Sequence, residues 1–372
     1  MTAQPAAFLR TTLPLGIDKV GEYDSGRYHS IWLPDHMVSF WPDSIWTPEF
    51  TDLAIHSPSP HRHLDGMAVS AAAAVLTHNT PLATTVVDTV RRHPSLLAQS
   101  ALTISHLSKG RFILGLGSGE LENTVPYGFD FAKPIGRLEE SIKIMKLLWL
   151  SDGPVDFEGE FYHLQHARMD TELYEGKAPP IWLGAAGPRM LGITGREADG
   201  WWPAGSFTPE DYAAKLKVIL DAGEAAGRDM SHFTPALTQI CLIGEPDEID
   251  AMLDTPMVKS IILMLTAKDL AGFGYTHPMG VGWRGIMDFD PVKLSREAML
   301  KFCAEMDPQA IRDIFPVGTP KEVAGKIKGF IDAGCQVYKL MEYGAMGGAR
   351  FSATSAAKVR ETEDLIQAMV EA

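Results

Sequence analysis

The stretch "RFILGLGSGE", residues 111–120, runs from apolar residues through three alternating glycines into a carboxylate. It begins like the dinucleotide-binding turn G-x-G-x-x-G, whose third glycine lets a helix pack against a strand beside a pyrophosphate. Counted from Gly115, that third position is Glu120, a charge that repels a pyrophosphate at close range. The fingerprint fails. A carboxylate emerging from a strand into apolar surroundings is expected to be desolvated, with a raised pKa suited to a proton relay; the other reading pairs Glu120 with an arginine on a neighbouring loop. A second candidate is His36, which follows Asp35 directly after "YHSIWLP" (28–34). Its ordinary pKa near neutrality suits a general acid or base, while a plainer role is to hold the next loop by hydrogen bonds. In "GAAGPRM" (184–190), small residues lead into a helix. Its backbone N–H groups either face an anion or simply make a tight turn. Arg91, Arg92 and His93 follow "TTVVD", offering charge to an acidic ligand or forming a solvated face. There is no HExxH, nucleophile elbow or Walker loop, and no metal site is expected.

These residues need elements to position them. Strand-like segments at 28–34, 81–87, 111–117, 179–187, 234–244 and 335–343, with "ADGWWPAG" at 198–205, alternate with helix-like ones. The helices fall at 64–79, 93–110, 136–153, 208–229 and 318–334, with a short one after 187. Thr208 and Thr319 are expected N-caps, and Pro320 suits the first helical position. About eight such units with continuous apolar strands predict an α/β fold, a (β/α)8 TIM barrel, over an open doubly wound sheet. Residues 1–372 then form a single barrel domain with insertions at approximately 37–63 and 255–316. The candidate residues sit at strand C-termini, the active rim of such a barrel.

Composition narrows the partners. A formal charge of −14 disfavours nucleic acid or an anionic membrane surface. Three dispersed cysteines exclude a disulfide framework and a zinc ribbon. No apolar run is long enough for a membrane span and no leader pattern is visible, so a cytoplasmic location is expected. Phe40, Trp41, Trp46, Phe50, Trp201, Trp202 and Trp283 either line an apolar pocket for the substrate or pack in the core.

Several blocks together carry a resemblance: "WLPDHM", "LATTVV…RRHPSLLAQSALTISHLSKGRFILGLGSGE", "GRLEESIKIMKLLW…FEGEFYHL", "PPIWLGAAGPRMLGITGREADGWWP" and "VGTPKEVAGKIKGFIDAG". The chain resembles the bacterial-luciferase-like flavin and deazaflavin oxidoreductases. Within them it is most similar to the coenzyme F420 branch and its phthiodiolone ketoreductase-like members. The resemblance implies a barrel holding a deazaflavin in its mouth and transferring hydride to or from a carbonyl or secondary alcohol of an apolar substrate. An FMNH2-dependent monooxygenase, with FMN as cofactor, is the alternative. It also implies a homodimer. By the same resemblance Asp35 and His36 lie beside the ring, and Thr84, Thr85 and Val86 carry a non-proline cis peptide beneath it. Gly117, Ser118, Gly119, Glu120 and Asn123 then contact the ring, the glycines admitting it. Gly184, Ala185, Ala186 and Gly187 would take the cofactor phosphate, although Pro188 removes one N–H that relatives offer. His36 is expected to protonate the alkoxide, and Glu120 to exchange a proton near, or polarise, a ring nitrogen. The lysine and arginine that hold a sugar phosphate in some relatives have no match here, which argues against that substrate.

Overall fold

The computed structural model describes residues 3–203 and 205–371. Eight barrel strands follow in chain order: β1 (Gln4–Pro5 and Ala7–Phe8), β2 (Ile31–Leu33), β3 (Leu82–Thr84), β4 (Phe112–Gly117), β5 (Ile181–Leu183), β6 (Gly200–Trp201), β7 (Thr234–Ile243) and β8 (Val337–Glu342). Every neighbouring pair among them is parallel. Closure rests on the two segments of β1, which Ala6 separates: Gln4 lies opposite Val337 of β8, and Ala7 opposite Ile31 of β2. The barrel expected from the alternation is present. Its first strand was not foreseen, because two residues either side of Ala6, one of them Pro5, give no periodic signal.

Seven helices cover the outside: α1 (Gly66–Leu76), α2 (Pro94–Leu107), α3 (Pro134–Leu150), α4 (Pro188–Glu197), α5 (Pro209–Ala225), α6 (Pro320–Asp332) and α7 (Ala349–Glu371). A 3-10 turn, Ile17–Tyr23, stands where the first barrel helix would be. Thr208 and Thr319 cap α5 and α6 in reciprocal capping boxes, as expected. The strand period of two divides the apolar side chains into two cores. Phe112, Leu114 and Leu116 of β4 face the helices with Leu97, Leu102 and Leu138. Ile113 instead points inward, where Trp32, Trp182, Trp202, Ala236 and Val337 fill the barrel. Trp32 packs edge-on to Trp202 with 4.6 Å between ring centroids.

The two insertions meet over the C-terminal rim. Ile45 from the first is buried among Leu263, Phe289, Phe302 and Ile311 of the second, together with Ile240 and Leu242 from the end of β7. The Asp43 N–H donates to the Pro291 carbonyl at 3.2 Å. Of the aromatics noted in the sequence, Phe40, Trp41, Trp46, Phe50 and Trp283 pack against this cluster. Trp202 fills the barrel interior, and Trp201 is fully buried in the outer core, where it stacks on Tyr212. Trp201 therefore lines no pocket. Among the described residues no helix is long and apolar enough to cross a membrane.

One close approach shapes the interior beneath the rim. The Thr85–Val86 peptide bond is cis. The chain here crosses so near to β4 that a Cβ on Gly115 would lie 1.9 Å from the Thr84 carbonyl oxygen, and one on Gly117 would lie 2.6 Å from a Val86 methyl. Thr84 Oγ1 completes the contact, accepting from the Gly115 N–H at 2.9 Å and donating to the Gly115 carbonyl at 3.0 Å. The glycines thus make room for the protein's own bulge, not directly for a ring as expected.

Gly115→Ala is predicted to destabilise the fold by about 3 kcal/mol or more, because backbone must move to admit the methyl group. Gly325→Ala, inside α6 with no atom within 4 Å of the new Cβ, is predicted to stabilise it by about 0.5–1 kcal/mol. Denaturant unfolding of both variants checks the pair.

Candidate active site

Asp35 and His36 leave β2 at the rim, but they point into different surroundings. Asp35 is buried. Its carboxylate accepts from the Gly66 N–H at 2.8 Å and from Arg91 Nη2 at 2.7 Å, and it is paired with Arg92. Arg91 also pairs with Asp88, and Arg92 reaches Asp65 at 2.6 Å. Burial acts to raise the Asp35 pKa, but the hydrogen bonds and charge of Arg92, followed by the charge of Arg91, outweigh it and hold the pKa below the ordinary range. Asp35 therefore anchors the start of α1 to the segment after β3 and is not placed to touch a ring. Arg91 and Arg92 form neither a solvated face nor a pair of unengaged cations for an acidic ligand, because aspartates hold both. His93 caps α2, accepting from the Ser95 N–H at 3.2 Å.

His36 turns the other way and meets the loop after β4. Its Nδ1 lies 3.3 Å from Glu120 Oε2, with the two side chains 18% and 25% exposed, so the pair is open to the mouth. The Phe40 ring packs edge-on against His36 at 5.1 Å, and the His63 ring lies at 5.6 Å. Asn123 joins the two loops. Its Oδ1 accepts the N–H groups of Met37 at 2.7 Å and Val38 at 3.0 Å. Its Nδ2 lies 3.0 Å from Glu120 Oε2, 3.0 Å from Glu122 Oε1 and 3.1 Å from His36 Nδ1. An amide has two hydrogens for these three neighbours. The count closes if Asn123 donates to the two carboxyl groups and His36 Nδ1 carries its own hydrogen, directed at Glu120. Asn123 is thus a clamp between loops and not primarily a ring contact.

Burial opposes a charge on His36, but Glu120 outweighs it and the imidazole pKa is raised. For Glu120, burial is opposed by the charge and hydrogen bond of His36, and the net direction is down, contrary to the raised value expected from desolvation alone. The partner is a histidine, not an arginine. The raised carboxyl is Glu122, which the sequence reading passed over. It is 1% exposed, its Oε2 has no hydrogen-bond partner, and burial followed by the Glu120 charge pushes its pKa up to about 10. The directions of these shifts favour an imidazolium, a carboxylate and a protonated acid side by side. Their ligand atoms lie within 4.8 Å of one another. With those protons in place, one cation, one anion and one neutral acid balance within the trio.

The first insertion closes over this group. Ser39 donates its backbone N–H to His61 Nδ1 at 3.0 Å, and its hydroxyl lies 2.7 Å from His63 Nε2. His61 Nε2 reaches Asp43 at 3.0 Å. Burial, followed by repulsion from His36 and His61, pushes His63 down to about 3, so it stays neutral beside the His36 imidazolium.

Below the pair lies the barrel floor. The Thr85–Val86 bulge is flanked by β4, and Gly184 follows β5 with its N–H taken by the Leu116 carbonyl at 2.9 Å. Trp201 Nε1 donates to the Ala185 carbonyl at 2.8 Å. Of the 184–187 turn, Ala186 and Gly187 are exposed, and Gly187 caps α4 with Pro188 at its first position. Only this outer end of the turn is placed to receive an anion. Ser118 and Gly119 are half-buried between the floor and Glu120. Thr85 Oγ1, Trp202 Nε1, Thr238 Oγ1 and Lys339 Nζ are buried without hydrogen-bond partners. Orphaned polar atoms in a barrel interior suit a ligand with polar edges.

Over residues 24–336 the sequence matches the family described as luciferase-like monooxygenase. The chain belongs to that family. Among its members, this luciferase-like protein is 33% identical to the phthiodiolone/phenolphthiodiolone dimycocerosates ketoreductase of Mycobacterium kansasii, over 85% of this chain and 87% of that one. It is 30% identical to the F420-dependent glucose-6-phosphate dehydrogenase of Kineococcus radiotolerans, over 78% and 80% respectively. Its fold is similar to that of an F420-dependent secondary alcohol dehydrogenase in complex with an F420-acetone adduct. The TM-score is 0.71 at 19% identity, covering 99% of this chain and 98% of the other.

The Glu122 proton has a thermodynamic consequence. The folded protein keeps it up to about 10, whereas an ordinary glutamate loses it near 4.5. Stability from this group is therefore full at acid pH and declines as pH rises through that window, by at most about 1.4 kcal/mol per pH unit for one proton. Glu122→Gln, which keeps the neutral shape, is predicted to flatten the fall in unfolding free energy between mildly acidic and alkaline pH. Parallel slopes in denaturation series of the two proteins would show that Glu122 is ionised in the fold.

Proposed function

We propose that this protein is a coenzyme F420-dependent oxidoreductase that transfers hydride between the deazaflavin and a carbonyl or secondary alcohol of an apolar substrate. The observation that carries the reading is the His36–Glu120 ion pair, held at the open mouth of the barrel above the Thr85–Val86 bulge. The names of the sequence relatives, a ketoreductase and an F420-dependent dehydrogenase, support it.

The bound deazaflavin supplies hydride at a ring carbon; the protein supplies position and protons. Glu120 engages His36 Nδ1, which leaves the proton on Nε2 as the one His36 can give to a developing alkoxide. Glu120 stabilises the imidazolium before that transfer. Asn123 keeps the ring and the carboxylate in register by holding both loops. Phe40, edge-on to His36, gives the mouth an apolar wall beside the proton donor and favours a greasy substrate. The buried orphan donors of the floor suit the cofactor's polar edges, and the exposed Ala186–Gly187 end of the turn suits its phosphate.

Titration of the purified protein with F420 and with FMN tests the cofactor. Tight binding of F420 and none of FMN is expected; the reverse result favours a reduced-flavin monooxygenase of the same family. His36→Ala is expected to lower turnover by about 100-fold or more while cofactor affinity changes little. Because the raised His36 pKa keeps the donor protonated beyond the ordinary histidine range, ketone reduction should hold through neutral pH and decline above it. Unchanged turnover in the alanine variant removes His36 from the mechanism.

A further inference from the structure

Residues 120–131 leave β4 and return to the mouth. At one end Glu120 pairs with His36. At the other the Phe131 ring closes on the turn after β4, where a Cβ on Gly119 would lie 3.2 Å from it. Thr124, fully buried, ties the segment between these ends. Its hydroxyl donates to the Glu120 carbonyl at 2.6 Å, and its own carbonyl accepts the N–H groups of Tyr127 at 3.1 Å and Phe129 at 3.3 Å. The turn built this way holds apolar side chains outward: Val125, Tyr127 and Phe129 are 43%, 44% and 37% exposed. Met37, next to His36, is 39% exposed, and its N–H is held by Asn123 at the start of the same segment. The one charged residue in 125–131, Asp130, is paired with Arg137 of α3.

Single apolar residues on a surface are ordinary; several on two adjoining segments at a site mark a binding surface. Four such side chains make a patch of at most a few hundred Å², whereas a stable protein interface takes roughly 800 Å² from each partner. The patch fits a narrow apolar chain. The formal charge of −14 disfavours an anionic membrane surface in its place.

We propose that this collar receives the aliphatic chain of a substrate whose carbonyl or secondary alcohol lies at His36, and that the substrates are long-chain ketones or secondary alcohols. The proposal rests on the oxidoreductase reading for the reacting carbon; the collar is a separate contact. The chain passes from the Phe40 wall onto Met37 and the 125–131 turn. Half-burying each methylene there strengthens binding about twofold, so preference accumulates with length.

The test measures calorimetric binding of methyl ketones from 2-butanone to 2-nonanone, and their turnover with reduced F420. Wild-type affinity and kcat/KM are expected to rise about twofold per added methylene. In the double variant Tyr127→Ser with Phe129→Ser, its fold checked by circular dichroism, the loss should grow with length, from under about twofold for 2-butanone to about tenfold for 2-nonanone. Leu150→Ser, which removes a 65% exposed leucine at the far end of α3, should track wild type. A wild-type series flat in length, or a double variant that loses the same factor at every length, overturns the proposal. So does a double variant that changes only the oligomeric state in light scattering, which makes the patch a face between two copies of this chain. Length-dependent binding without turnover overturns the hydride-transfer reading and leaves the collar standing. Neither binding nor turnover at any length overturns both.

Discussion

One side-chain amide holds the candidate site together. Asn123 accepts two backbone N–H groups from the loop after β2 and donates toward both carboxyl groups of the loop after β4. The imidazole and the carboxylate come from strands that are not adjacent, since β3 lies between them. Without the clamp, their separation would depend on two independent loops. With it, a histidine and a glutamate stay within reach of one proton while both remain partly open to the mouth. Buried charge usually shifts toward neutrality; here each member supplies the counter-charge that keeps the other ionised. The surplus negative charge is avoided by leaving Glu122 protonated.

A second constraint is steric. The bulge at Thr85–Val86 fits only because β4 presents bare backbone at Gly115 and Gly117. The floor is therefore set by two strands packed against each other, and any ligand in the mouth meets Val86 instead of an open barrel interior. Asp35, Arg91 and Arg92 fix the same region from outside, tying β2, the segment after β3 and α1 into one buried ion network. That network stabilises the platform under His36 while taking no part in the mouth itself.

Much of this was legible in the sequence. Strand and helix periods located most elements, and the capping threonines marked α5 and α6 correctly. His36, Glu120 and the bulge residues stand at strand ends that the sequence pattern marks. The errors share a cause: a sequence shows which residues end a strand, not what faces them. Asp35 looked like His36's companion because its real partners, Arg91 and Arg92, lie beyond the next strand. The direction of the Glu120 pKa shift is not legible either, because its partner, His36, is still more distant in the chain. Glu122 did leave a signal, a second acid two residues from Glu120 in "GELEN", and Lys339 left another, a lysine inside the apolar strand "VYKLMEY". Both are charges placed where a strand or its exit must be buried.

The central claim is that His36 is an imidazolium paired with Glu120 beside the bound ring. Its most direct test is nitrogen-15 NMR of the histidine side chains across a pH series, with and without saturating F420. The account predicts that His36 stays protonated above the ordinary histidine range in the ligand-free protein and that its resonances move when F420 is added. A His36 ring that is neutral at neutral pH, or one that does not respond to F420, contradicts it.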